Sequence, residues 1–285
     1  MPIRLANNDG RASLLVEEGL VDVERASRGA FGPDPMAVLA RWDVFTAWAA
    51  GLAATDVQPL DETRLGPCVP RPSSVFAIGL NYRGHAQEAG LVLPTNPMVF
   101  TKFPSCLSGP RSNVYLFSDR VDWEVELVVI IGRRSARIPV EAALDYVAGY
   151  CVGQDISDRR LQFSDKPPQF SLGKSRETFG PIGPAVVSLD AFVDPTDLQL
   201  TCEVAGQRMQ DSRTSDMVFP VPELVSYLSR ICTLQPGDLI FSGTPSGVGS
   251  VRNPRRYLQA GETIVSTIED IGTLVKRGVM PPYPS

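Results

Sequence analysis

No long apolar run occurs in this chain. The longest, LVVIIG from Leu127, falls far short of a membrane span, and its β-branched content suits a buried strand. The N-terminal stretch MPIRLANNDGRASLL lacks the apolar core of a secretory leader. Cysteine is sparse: Cys68, Cys106, Cys151, Cys202 and Cys232 are scattered, with no two at zinc-finger or redox spacing. An odd count without a leader points to reduced thiols in the cytoplasm. Lysine and arginine form no basic stripe. RNPRRY, near residue 255, is the densest basic spot and reads as a solvated loop. With a net charge of −5 and a pI near 5.1, nothing favours nucleic acid as a partner, and nothing favours a membrane. Internal repeats and low-complexity tracts are absent.

What is present is ordinary for a globular protein: 43% hydrophobic and 21% charged residues over 285 positions. That length allows one large domain, or a large domain with a small appendage, and a core that needs no disulfide or structural metal. The 24 glycines and 25 prolines fit strands and turns better than a helical bundle. GPCVPRP, with Pro67, Pro70 and Pro72, sets a boundary between residues 1–70 and 71–285.

The pattern predicts a helix around Val38–Leu52, a strand over Val75–Ile78 and a helix over YRGHAQEAG. A long strand follows over Val121–Ile131, and Asp155–Gln162 opens a helix. Leu198, Leu200, Cys202 and Val204 alternate as a half-buried strand. AGQ turns the chain into a second strand. Pro222 and Glu223 open a helix with Leu224, Tyr227, Leu228 and Ile231 on one face. PGDLIFSGTPSGVG is a turn, a strand and a glycine-rich loop that lacks the lysine and spacing of a P-loop.

In DWEVELVVIIG, strand alternation turns Glu124 and Glu126 to the same side as Val128 and Ile130. Two carboxylates on one apolar face repel, and desolvation makes the pair worse. One is protonated, or a hard divalent cation lies between them; an edge strand with a solvated face is the plainer alternative. The unbroken apolar continuation argues for burial and the metal. In QDISDRRLQ, a helix capped by Asp155 would turn Arg159 and Gln162 to the same face, an arrangement suited to a keto acid beside a metal. A surface helix with a good cap is the alternative. His85, the only histidine, precedes Glu88 by one helical turn. A Glu–His pair there suits a general base acting on water, and an exposed helix face is the plainer account. Lys174, in a Gly/Pro-rich loop, could stabilise an enolate or oxyanion or simply be solvated. Thr244 could donate to a carboxylate or satisfy a tight turn.

From about Ser73 to Gly272 the chain resembles the fumarylacetoacetate hydrolase family. The phrases that carry the likeness occur in family order: FAIGLNYRGHAQE, VDWEVELVVIIG, YCVGQDISDRRLQ, GKSRETFGPIGP, RMQDSRTSDMVFPVPELVSYLSR and LQPGDLIFSGTPSGVG. The resemblance implies an α+β fold of mixed β-sheets in a roll, with residues 1–70 as a small accessory domain, and a homodimer. It implies Mg²⁺ or Mn²⁺ on Glu124, Glu126 and Asp155, with Arg159, Gln162, Lys174 and Thr244 facing the substrate. His85 and Glu88 match the dyad that activates water, on a segment that closes as a lid. GQDIS, Arg176–Glu177 and the Pro-rich SDKPPQF depart from the usual pattern. The expected activity is hydrolysis of a C–C bond in a 1,3-diketo acid of acylpyruvate or fumarylpyruvate type, through a metal-bound enolate. Lys174 aids that enolate. A decarboxylase of oxaloacetate type, or an isomerase of unsaturated keto diacids, would use the same metal. A metal-stabilised binding protein without turnover is the alternative outside catalysis, and His85 with Glu88 speaks against it.

Overall fold

The computed structural model describes residues 2–52 and 56–283. It is an α+β chain of mixed sheets with few helices. The main sheet runs Gly19–Asp22, Arg11–Val16, Arg4–Asn8, Gly180–Val187, Val147–Gln154, Val125–Ile131, Leu239–Phe241, Val75–Gly79, Met98–Thr101, with Leu107–Ser108 alongside Gly180–Val187. Residues 1–70, expected as an accessory domain, thus supply three strands to this sheet: Arg4 pairs with Val187.

Val125–Ile131 is an interior strand with every residue buried, which removes the solvated-edge alternative. Its two faces serve different cores. Val125, Leu127, Val129 and Ile131 pack with Leu200, Cys202, Ile264 and Leu274 of a second, five-stranded sheet. Val128 and Ile130 pack with Val38, Leu39 and Phe45. The period-2 alternation of the sequence is here an alternation between two hydrophobic cores.

Several elements differ in detail. The strand expected over Val121–Ile131 is divided into Val121–Asp122 and Val125–Ile131, because Val121–Asp122 leaves to pair with Ser157–Asp158. The helix expected over Val38–Leu52 is two, Pro35–Leu39 and Trp42–Ala49. Val221–Ile231 is helical with proline in its first turn. It buries Val221, Leu224, Val225 and Leu228, while Ile231 is exposed. The AGQ turn joins Gln199–Val204 to Gln207–Arg213 with positive φ at Ala205 and Gly206, the backbone a tight hairpin requires. No described helix is long and apolar enough to cross a membrane.

Candidate active site

The acids meet where two interior strands end. Val125–Ile131 and Val147–Gln154 pair with Glu126 opposite Gly153. Asp155 follows the second strand directly, and its N–H donates to the Glu124 carbonyl at 2.9 Å. Glu124, Glu126 and Asp155 are all buried and each offers a carboxylate oxygen within 4.8 Å of the others. Gln154 braces the group: its Oε1 accepts the Glu124 N–H at 2.8 Å, and its Nε2 donates to Ser266 at 2.8 Å.

Three cations crowd these acids. Lys174 Nζ donates to Glu124 Oε2 at 2.7 Å and to Asp155 Oδ2 at 2.6 Å. Arg159 donates to Glu124 Oε1 at 2.5 Å, Asp122 Oδ2 at 2.9 Å and Gln162 Oε1 at 2.9 Å. Lys102, fully buried, donates to Asp155 Oδ1 at 2.7 Å, to the Phe179 carbonyl at 3.2 Å and to the Lys174 carbonyl. Among the described residues Glu126 receives only the Gly243 N–H, at 2.8 Å. Gly243 has φ +100°, and a Cβ there would come within 2.8 Å of Asn81 Cβ, so glycine is what lets this N–H reach the carboxylate.

The electrostatics follow from this uneven pairing. Burial opposes ionisation of Glu124, but Lys174 and Arg159 prevail and hold its pKa down to about 2. Burial, Asp155 and Glu124 together push the pKa of Glu126 well above the usual carboxylate range. Burial also opposes the charge on Lys174, and Asp155 and Glu124 outweigh it and raise the pKa. Asp122, Glu124, Glu126 and Asp155 therefore face Arg159, Lys174 and Lys102 with one buried acid unmatched. An all-oxygen donor set with surplus negative charge fits a hard divalent cation.

Asp155 does not cap the following helix, which corrects the sequence expectation. That helix is a single turn, Arg159–Gln162. Asp158 caps it, accepting from the N–H groups of Arg160 and Leu161. QDISD contains two aspartates able to cap, and the strand runs on through Gln154, leaving the second for that task. Arg159 and Gln162 still converge, now by adjacency within one turn.

A cavity of about 330 Å³ opens over the site. Glu124, Glu126, Arg159, Gln162, Lys174, Thr244 and His85 line its polar part, and Leu91, Phe100, Phe163 and Phe170 line an apolar wall. Asp155 lies outside that lining, fully buried. The Thr244 hydroxyl donates to the Val125 carbonyl at 2.9 Å and accepts from Gln210 at 2.8 Å, so its proton is already committed. His85 and Glu88 share the helix Arg83–Ala89. His85 Nδ1 lies 3.7 Å from Glu88 Oε2, too far for a hydrogen bond. Nδ1 has no hydrogen-bond partner among the described residues. Glu88 Oε2 accepts the Gly247 N–H at 2.9 Å. Burial raises its pKa, while His85 and that N–H more than offset this and lower it.

Lys102, Asp122 and Gln210 are participants that the sequence reading missed. Asp122 stands in the quoted phrase VDWEVE, where a third acid was visible. Lys102 ends an alternating strand and carries no signal of its own.

The site is a buried acidic cluster able to hold a metal ion in a mixed-sheet α+β fold, and the comparisons narrow the class. The family model described as "Fumarylacetoacetate (FAA) hydrolase C-terminal" matches residues 74–278. The chain belongs to the fumarylacetoacetate hydrolase family. It is 41% identical to the mitochondrial oxaloacetate tautomerase FAHD2B of Bos taurus over 78% of this chain and 72% of that one. A crystal structure of a Mycobacterium smegmatis protein superposes with a TM-score of 0.93 at 47% identity, covering 98% of this chain and 99% of that one. The maleylpyruvate hydrolase of Sphingobium sp. SYK-6, solved with manganese(II) and pyruvate, gives a TM-score of 0.79 at 29% identity, covering 98% and 99%.

Proposed function

We propose that the chain is a divalent-metal-dependent hydrolase that cleaves a C–C bond in a 1,3-diketo acid of acylpyruvate or fumarylpyruvate type. One observation carries the reading: a single cavity holds both an imidazole, His85, and the carboxylates of Glu124 and Glu126. Mg²⁺ or Mn²⁺ on Glu124, Glu126 and Asp155 would supply Lewis-acid polarisation and a template for the keto-acid end. Arg159 and Gln162 bind and orient that end, and Thr244, its hydroxyl held between Val125 and Gln210, lines the cavity beside them. His85, with the Glu88 carboxylate behind it, takes a proton from water. The water oxygen bonds to the carbonyl carbon distal to the keto acid. The C–C bond then breaks, its electron pair passing to the pyruvate fragment as an enolate, which is reprotonated. The Lys174 ammonium stabilises the charge that develops there. The products are a carboxylic acid and pyruvate.

A second reading, a tautomerase, decarboxylase or isomerase acting on the same keto-acid end, is favoured by the 41% identity to an oxaloacetate tautomerase. It needs no attacking water. His85→Ala separates the two. If the imidazole activates water, acylpyruvate hydrolysis falls by roughly two to four orders of magnitude, while metal binding persists and turnover of oxaloacetate falls much less. Equal loss of both reactions would assign His85 to closure of the cavity instead.

The proposal extends to a homodimer, to residues 1–70 as an accessory domain and to a cytoplasmic setting. All five cysteines are free thiols, which supports a reducing compartment.

A further inference from the structure

A second cavity of about 380 Å³ adjoins the first and shares Arg159, Phe163, Ser250 and Val251 with it. Beyond the shared wall it is lined by Arg120, Arg255 and Tyr257. Arg255 belongs to RNPRRY, the densest basic spot of an otherwise acidic chain.

The three guanidinium groups are not equivalent. Arg159 is neutralised by Asp122 and Glu124. The sequence neighbours of the other two are also spoken for: Asp119 pairs with Arg160, and Arg256 pairs with Glu262. Arg120 and Arg255 themselves have no ion-pair or side-chain hydrogen-bond partner among the described residues. Two uncompensated cations at one cavity repel each other, and an anion between them relieves that repulsion.

The backbone is anchored at Arg120 and next to Arg255. The Arg120 carbonyl accepts the Arg159 N–H at 3.0 Å, and the Arg256 N–H donates to the Gly249 carbonyl at 3.0 Å. Asp122, which grips Arg159, also accepts from the N–H groups of Gly249 and Ser250 at 2.7 and 2.9 Å. One buried carboxylate thus ties the rim of the second cavity to the floor of the first.

We infer that the second cavity is a carboxylate subsite in which Arg120 and Arg255 take the far end of the substrate, so that the preferred substrate is a diacid. The inference rests on reading the first cavity as the keto-acid site. The keto-acid end lies over Glu124 and Glu126, the carbon chain passes Phe163 at the shared wall, and the terminal carboxylate reaches the two free guanidinium groups. Arg120 and Arg255 then determine specificity without taking part in bond cleavage.

The test is calorimetric binding to the Mn²⁺-loaded protein, which requires no turnover. Saturated 2-oxo diacids of increasing length, from 2-oxoglutarate to 2-oxosuberate, are each compared with the 2-oxo monoacid of the same length. At one or more lengths the diacid binds about tenfold tighter or better, as charge-assisted hydrogen bonds to arginine allow. That gain shrinks at high salt, because both arginines are solvent-exposed. It disappears in the Arg120→Gln/Arg255→Gln double variant, whose changes lie on the surface and spare the core. If monoacids bind but no diacid gains at any length, or the gain survives the double variant, the subsite is wrong and the keto-acid site stands. If no 2-oxo acid binds although Mn²⁺ does, the reading of the first cavity fails and takes the subsite with it.

Discussion

Among the described residues Glu126 is the acid of the cluster left without a cation. Lys174 and Arg159 hold Glu124, Lys102 and Lys174 hold Asp155, and Glu126 has one backbone N–H. Removing its charge therefore acts differently with and without metal. Glu126→Gln relieves like-charge repulsion in the metal-free protein, so its melting temperature should hold or rise. The stabilisation gained on adding Mn²⁺ should shrink, since one ligand is gone. An unchanged metal-induced shift in scanning calorimetry would exclude Glu126 as a ligand. Lys276 presents the opposite case, a buried ammonium that donates to Ser112 Oγ at 2.7 Å and to the Gly109 carbonyl, with no carboxylate partner among the described residues. Burial, with Arg111 nearby, pushes its pKa well below the usual lysine value. The unfolded chain therefore binds the proton more tightly, and stability is lost as pH falls below the ordinary lysine pKa. Lys276→Met should flatten that dependence and raise the melting temperature at neutral pH by about 2–4 °C, equivalent to roughly 1 kcal/mol. A uniformly lower melting temperature would mean that the ammonium's hydrogen bonds outweigh its desolvation. At this scale Glu124 and Glu126 were legible because alternation put two acids against an apolar run. Lys102 was not, because a buried lysine announces itself only through the carboxylate and carbonyls that surround it.

The helix Arg83–Ala89 is the element most directly coupled to the cavity. Its root is fixed: Asn81, fully buried, donates to the Phe219 and Ser242 carbonyls at 3.0 and 2.8 Å and accepts the Phe219 N–H at 2.9 Å. Its far end is not. The helix stops at Gly90, in left-handed conformation, and the next residues, Leu91, Val92 and Leu93, expose apolar side chains. Leu91 also lines the cavity. We propose that this element, anchored at its root, apolar beyond Gly90 and held by the Glu88–Gly247 contact, closes over a ligand. Amide exchange across residues 80–97 should slow when oxalate binds the Mn²⁺-loaded protein. Exchange that stays the same at saturating oxalate would remove the lid from the account. Element identity was legible here from YRGHAQEAG and its glycines. Element boundaries were less so where pairing competes with pattern: Val121–Asp122 leaves its strand because Ser157–Asp158 offers a separate partner, a long-range contact with no local trace.

At the scale of the whole molecule, the sequence motifs were legible as a set because they fall on the segments that meet at the cavity. The glycine-rich loop after Leu239–Phe241 delivers the Gly243 N–H, the strand Val125–Ile131 delivers Glu126, and the end of Val147–Gln154 delivers Asp155. What stayed hidden was the joining of residues 1–70 to the main sheet through Arg4–Asn8 and Gly180–Val187, since a strand's partner is chosen by tertiary packing rather than by its own pattern. The second cavity was hidden for the same reason, because Arg120 and Arg255 are far apart in sequence. Metal-dependent C–C hydrolysis at this site can be read from the products by NMR. Incubated with a short 2,4-diketo acid, the Mn²⁺-loaded protein should release pyruvate and the matching carboxylic acid in equal amounts. Chelation should stop the release, and Mg²⁺ or Mn²⁺ should restore it. A diketo acid that only exchanges between keto and enol forms, or cleavage that survives exhaustive chelation, would contradict the account.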